Sequence, residues 1–200
     1  MGLTLANLLT VLRMALIPFF IIAVTENHSG AALAIFTVAG LTDLFDGIIA
    51  RMWKQKTALG AILDPMADKL LLTAAFVILC MPDHPKAFPD FTLLNRIPIT
   101  LTILSISRDV IIALIAGVIY MAGGRTSFAP TILGKMTTTV EIVIVVVVLL
   151  LNYQGAKSDL VLPWLVKITL AFILMSGVHY IYHNMQRGAL ESAGEGKTAR

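Results

Sequence analysis

The sequence predicts an all-α integral membrane protein of six transmembrane helices with both termini in the cytoplasm, and three observations carry that expectation. Hydrophobic side chains make up 58% of the 200 residues and charged ones 14%, with a mean hydropathy of +0.87. Soluble domains carry about 45–50% apolar and about 25% charged residues. The apolar excess lies in six blocks, each near the roughly 20 residues that cross a bilayer. The basic residues fall mainly in alternate loops, which orients the chain. Scarce charge excludes disorder for most of the chain, and the single Cys80 excludes a disulfide scaffold. A net charge of +3, dispersed over short loops, argues against a nucleic-acid footprint.

The expected spans are 5–24, 31–50, 61–80, 97–120, 129–151 and 161–182. Arg13 lies inside the first, so its opening turn is expected along the interface before the chain dives at Met14. A nearly uncharged start and a poor cleavage site after Val24 argue against a signal peptide there. Short polar or proline-containing stretches, Glu26 to Gly30 and Met81 to Pro85, separate spans without forming domains. Residues 1–186 make one membrane domain, and the tail from 187 to 200 is small, polar and expected to be disordered. Arg51, Lys54, Lys56, Arg125, Arg187, Lys197 and Arg200 fall on one side; only Lys86, Arg96 and Lys157 fall in the opposite loops. The positive-inside rule makes the first side cytoplasmic.

The segment 43–68 holds Asp43, Asp46, Asp64 and Asp68, four of the twelve acids. On a helix, Asp43, Asp46, Gly47 and Ala50 share one face, and so do Gly60, Asp64 and Asp68. A short loop makes the two spans an antiparallel pair, so both acidic faces meet at the cytoplasmic edge of the bilayer. Pro65 starts or kinks the second helix. Four carboxylates near low dielectric cannot all stay ionised alone: they take up protons, or cations neutralise them. Oxygen-only ligands favour Mg²⁺ or Mn²⁺, and two acids from each helix suit a two-metal phosphoryl clamp. Intramembrane acids also serve ion pathways, and the acid pairs alone leave both readings open. Their combination with small residues on both acidic faces, and with Arg51 as a phosphate-capable fork, favours the metal site.

The full pattern is Asp43-x2-Asp46-Gly47-x2-Ala50-Arg51-x8-Gly60-x3-Asp64-x3-Asp68. It resembles, at all eight fixed positions, the signature of the CDP-alcohol phosphatidyltransferases. Asn7-x2-Thr10-x2-Arg13, Ser107-Arg108-Asp109 and Gly134-Lys135 extend the likeness over most of the chain. The resemblance implies a six-helix enzyme of the bacterial inner membrane, commonly a homodimer, with its site open to the cytoplasm. Such an enzyme transfers a phosphatidyl group from CDP-diacylglycerol to an alcohol and releases CMP. By the same resemblance, Asp43, Asp46, Asp64 and Asp68 ligate two divalent ions, and Asp68 is also the catalytic base. Asp46, Gly47, Ala50, Arg51 and Gly60 contact the CDP-linked donor. Lys135 and Arg108 bind the acceptor's phosphate, or else form plain Arg108–Asp109 and Lys135–Glu141 pairs. Asn7, Thr10 and Arg13 serve either as a helix cap with an interfacial anchor or as ligand contacts. His179 and His183 could ligate metal, but with Tyr180 and Tyr182 they read better as an interfacial aromatic belt.

Two branches of the family are similar to this sequence: one uses glycerol 3-phosphate as acceptor and forms phosphatidylglycerophosphate, the other uses phosphatidylglycerol and forms cardiolipin. The first branch usually carries an Arg just beyond positions 107–109, where this chain reads IIALIA at 111–116, and a second Lys where it has Thr137. Fewer cations pull toward the lipid acceptor, whereas chain length and layout favour glycerol 3-phosphate, which is the expectation adopted. A cation-coupled transporter is the distant alternative; it predicts scattered acids and inverted repeats, and the sequence has neither.

Overall fold

The computed structural model describes the backbone of residues 5–53, 58–83, 88–121 and 132–198. Side chains are described within these segments except at 5–7, 43–53, 58–65, 116, 119, 120 and 181–198. Among the described residues all regular structure is helical: α1 Leu5–Thr25, α2 Ser29–Trp53, α3 Ala58–Leu79, α4 Ile99–Met121, α5 Ile132–Tyr153 and α6 Val161–Thr198. Each coincides with one of the six apolar blocks. Leu8–Thr25, Ile132–Tyr153 and Val161–Tyr180 are long and apolar enough to cross a membrane, and Ser29–Thr42 is a shorter apolar stretch. Where the sequence leads one to expect disorder after Arg187, α6 continues to Thr198. Ala189, Leu190, Glu191 and Ala193 are good helix formers with no proline among them, which outweighs the tail's polarity.

The helices pack through narrow, small-residue seams. α1 lies against α2 and α3, α2 against α5, and α6 against α4 and α5. Ala32 and Ala39 are fully buried on α2, allowing close approach, while Phe20 of α1 and Phe36 of α2 meet with ring centroids 5.7 Å apart. On α5, Thr137, Glu141, Ile144, Val145, Val148 and Leu149 are buried. Their spacing of about four, three and one follows a single stripe along the helix, the inward face. The opposite surfaces are apolar as well: Phe19, Leu114 and Val178 are 60%, 62% and 69% exposed. A water-soluble protein rarely displays such contiguous apolar surface, whereas lipid accepts it.

Three connectors gather at one end of the bundle. α1 and α5 both finish in a Schellman turn, with Asn27 (φ 59°) and Gly155 (φ 63°) in the left-handed conformation. The paired bonds are His28 N–H to Ala23 O (2.8 Å) with Asn27 N–H to Val24 O (3.0 Å), and Ala156 N–H to Leu151 O (3.0 Å) with Gly155 N–H to Asn152 O (3.2 Å). Asn27 then donates to Asp90 O (2.7 Å) and accepts from Thr92 N–H (3.0 Å). The Asn152 side chain accepts from Asn95 N–H and donates to Asn95 O, both at 2.9 Å, and the Asn95 side chain donates to Ala156 O at 2.8 Å. Because the α1–α2, α3–α4 and α5–α6 connectors are tied to one another, the helices alternate in direction. The ends of α2, α4 and α6 and the starts of α1, α3 and α5 therefore share the other end, toward which Asp43, Asp46, Asp64 and Lys135 lie, whereas Asp68 and Arg108 lie about halfway along their helices.

Candidate active site

Asp43 and Asp46 fall in the second half of α2, and Asp64 and Asp68 in the first half of α3. The helical register expected for both pairs is therefore the one the backbone adopts. Of the eight signature positions, Asp68 alone is placed as a side chain; those of Asp43, Asp46, Gly47, Ala50, Arg51, Gly60 and Asp64 lie outside the described residues.

Asp68 is partly exposed and forms an ion pair with Arg13 of α1, which is 1% exposed. A buried guanidinium without a counter-charge is strongly unfavourable, and a carboxylate on the neighbouring helix relieves that cost. Arg13 is thus inside the bundle rather than at the interface, and α1 runs through it unbroken. Thr10, one turn earlier on the same face, is also fully buried. Asp68 and Arg13 line a cavity of about 390 Å³ whose other walls are mostly apolar, including Phe36, Leu71 and Ile142.

A second cavity of about 630 Å³ lies between α3, α4, α5 and α6 and is lined by Lys69, Arg108, Asp109, Gly134, Lys135 and Tyr180, among others. Lys69 and Thr138 line both cavities, so they form the wall between them. The two residues expected to bind acceptor are together here. Arg108 is buried, donates to Asp109 Oδ1 (2.7 Å) and to Ser176 Oγ on α6 (2.6 Å), and so makes the Arg108–Asp109 pair weighed from sequence. Its Nε has no hydrogen-bond partner among the described residues. Lys135 is exposed on the cavity wall, and among the described residues it makes no ion pair. The alternative Lys135–Glu141 pair does not form: Glu141 is fully buried and accepts a 2.6 Å bond from Ser105 Oγ instead.

Sequence reasoning overlooked Lys69, whose Nζ lies 2.6 Å from Asp109 Oδ2. The only signal was its place beside Asp68, which puts it about 100° around the helix, facing a different neighbour. Of the two departures noted near the acceptor residues, only one touches the cavity. Ile112 and Ala113 are in its wall, but Thr137 is fully buried and its hydroxyl bonds to Leu133 O (2.8 Å) and to Phe172 O of α6 (3.2 Å). His179 is exposed near the end of the described α6 side chains, and His183 lies outside the described residues. Among the described residues no three His, Cys, Asp or Glu side chains converge.

Comparison with known proteins bears on the family of the chain. The chain is 38% identical over 138 residues to a CDP-diacylglycerol--glycerol-3-phosphate 3-phosphatidyltransferase of Haemophilus influenzae, covering 68% of this chain and 69% of that protein. It is also 38% identical over 143 residues to the protein of the same name from Escherichia coli strain K12, covering 68% and 71%. It is 42% identical over 133 residues to a cardiolipin synthase (CMP-forming) of Rattus norvegicus, covering 66% of this chain and 39% of that longer protein. The family model for CDP-alcohol phosphatidyltransferase matches residues 3–182. With nine-tenths of its length matched and both cavities built from the matched helices, the chain belongs to the CDP-alcohol phosphatidyltransferase family.

Proposed function

We propose that this chain transfers the phosphatidyl group of CDP-diacylglycerol to glycerol 3-phosphate, giving phosphatidylglycerophosphate and CMP. The observation that carries the reading is the pair of cavities, one lined by Asp68 and the other by Arg108 and Lys135, that share Lys69 and Thr138 in their walls. The acceptor oxygen bonds to the phosphatidyl phosphorus, the bond from phosphorus to CMP breaks, and CMP departs with the electron pair. Asp68 takes the hydroxyl proton, and Arg13 fixes the orientation of its carboxylate. Arg108 and Lys135 hold the acceptor's phosphate so that its hydroxyl faces the donor. The largely apolar cavity around Asp68 suits the lipid donor and excludes water.

Asp43, Asp46 and Asp64 with Asp68 are the residues to hold two Mg²⁺ or Mn²⁺ ions. Their oxygen-only donor set, carried on the second half of α2 and the first half of α3, fits hard cations. When bound, such ions neutralise charge on the diphosphate and the leaving CMP. Gly47, Ala50 and Gly60 leave room for the nucleotide, and Arg51 offers a fork to its phosphates. The same reading makes the chain a six-span protein of the bacterial inner membrane, with both termini and the site facing the cytoplasm, and a homodimer.

A second acceptor, phosphatidylglycerol, is favoured by one observation: Ile112 and Ala113 place apolar surface in the acceptor cavity where the first branch usually supplies a cation. The test is CMP release by purified protein in detergent with CDP-diacylglycerol and Mg²⁺ or Mn²⁺. Release with glycerol 3-phosphate is expected. Release with phosphatidylglycerol alone selects the second reading, and silence with both rejects both acceptors.

A further inference from the structure

We propose that Lys69 is a third cation for the acceptor's phosphate and that Asp109 is the positioning residue that holds it on the acceptor side of the dividing wall; this rests on the reading above. Among the described residues, Lys69 is the one cation that lines both cavities. Its ammonium is 2.6 Å from Asp109 Oδ2, and Asp109 lines the larger cavity and not the smaller. Arg108 occupies the other oxygen of the same carboxylate at 2.7 Å and continues to Ser176 at 2.6 Å. A single line of charge-assisted bonds therefore crosses from α3 through α4 to α6. Such bonds are shorter and stronger than neutral ones and fix the groups they join.

The direction of Lys69 decides which substrate it serves. On the donor side, the other cation, Arg13, is already paired with Asp68, and most of the wall is apolar. On the acceptor side, Lys69 joins Arg108 and Lys135 around one space. Its side chain is 41% exposed, so a ligand in that space reaches it. Among the described residues of the wall, three cations face one carboxylate, leaving an excess of two positive charges. That excess matches a fully ionised phosphomonoester, whose second pKa is about 6, better than a singly charged phosphodiester. Lys69 thus supplies the cation that the segment 111–116 lacks. The chemical class the cavity takes is a small alcohol carrying a phosphomonoester.

The test uses the intact protein in detergent and the variants Lys69→Gln, Lys69→Arg and Asp109→Asn, with KM measured separately for each substrate. Lys69→Gln is expected to raise KM for glycerol 3-phosphate about tenfold or more, the scale of one hydrogen bond to a charged group, with KM for CDP-diacylglycerol little changed. Lys69→Arg recovers most of the loss, and Asp109→Asn raises the same KM by a smaller factor. A merely structural role moves both KM values, or kcat and the melting temperature, together. An unchanged acceptor KM in Lys69→Gln, or a donor KM that rises in step, overturns the proposal. A turnover-free arm measures the thermal stabilisation that glycerol 3-phosphate confers. If wild-type protein releases no CMP with glycerol 3-phosphate, the function proposed above falls, and this arm still decides Lys69: stabilisation lost in Lys69→Gln supports the site, while its persistence there or absence from the wild type overturns it.

Discussion

At the connector end, Asn27, Asn95 and Asn152 commit their amides to backbone groups of neighbouring loops; further along the bundle, Arg13 and Lys69 reach across helices to carboxylates on cavity walls, and Arg108 pairs with Asp109 on its own helix and reaches across to the Ser176 hydroxyl. The first set is neutral and its donors and acceptors are matched one to one. The second is charged, half-exposed in part, and leaves Arg108 Nε and Lys135 without protein partners among the described residues. A satisfied amide lattice stabilises one arrangement and offers little to a ligand. Cations and carboxylates arranged around space cost stability but can exchange partners for an anion. One bundle therefore has an end that holds the helices in register and, further along, a region that meets substrate.

The sharpest way to break this contrast is Asp68→Asn. Asn keeps an oxygen that accepts from Arg13 but removes the counter-charge of that buried guanidinium, so the melting temperature in detergent falls, while loss of the base and metal ligand lowers CMP release per folded molecule by about a thousandfold or more. Retained activity removes Asp68 from the chemistry. Asn152→Ala acts at the connector end and on stability alone. It strips the Asn95 backbone N–H and C=O of their partners and is expected to cost about 1–3 kcal/mol of stability with turnover per folded molecule unchanged. Lys135→Ala is milder: KM for the acceptor rises roughly tenfold with stability intact, since the side chain is exposed. Raised salt should narrow the gap between that variant and wild type, because screening weakens an exposed charge. The smallest change is Gly30→Ala, whose new Cβ would come within 2.9 Å of the Tyr153 ring. Tyr153 is 63% exposed and can swing aside, so stability shifts by about 0.5 kcal/mol or less and activity not at all.

The helices were readable because each apolar block has the length that lipid demands, and the acids of α2 and α3 because their spacing is local. What escaped the sequence depends on packing. Lys69 and Asp109 are forty residues apart, and Asn95 and Asn152 fifty-seven; neither separation marks a contact until α3, α4 and α5 are laid together. Arg13 was ambiguous because a cation near the start of an apolar span fits an interface as well as a buried pair, and only its neighbour on α3 decides.

The orientation of Thr137 has a consequence for redesign. Restoring a lysine there, as comparison with the glycerol 3-phosphate branch invites, would drive a long cation into the α5–α6 seam, where Thr137 is fully buried against Phe172 O. The variant would lose folding without gaining acceptor. Ala113 is the better address: its side chain begins at the cavity wall and is exposed there, so an arginine at that position enters the acceptor's space rather than the protein's.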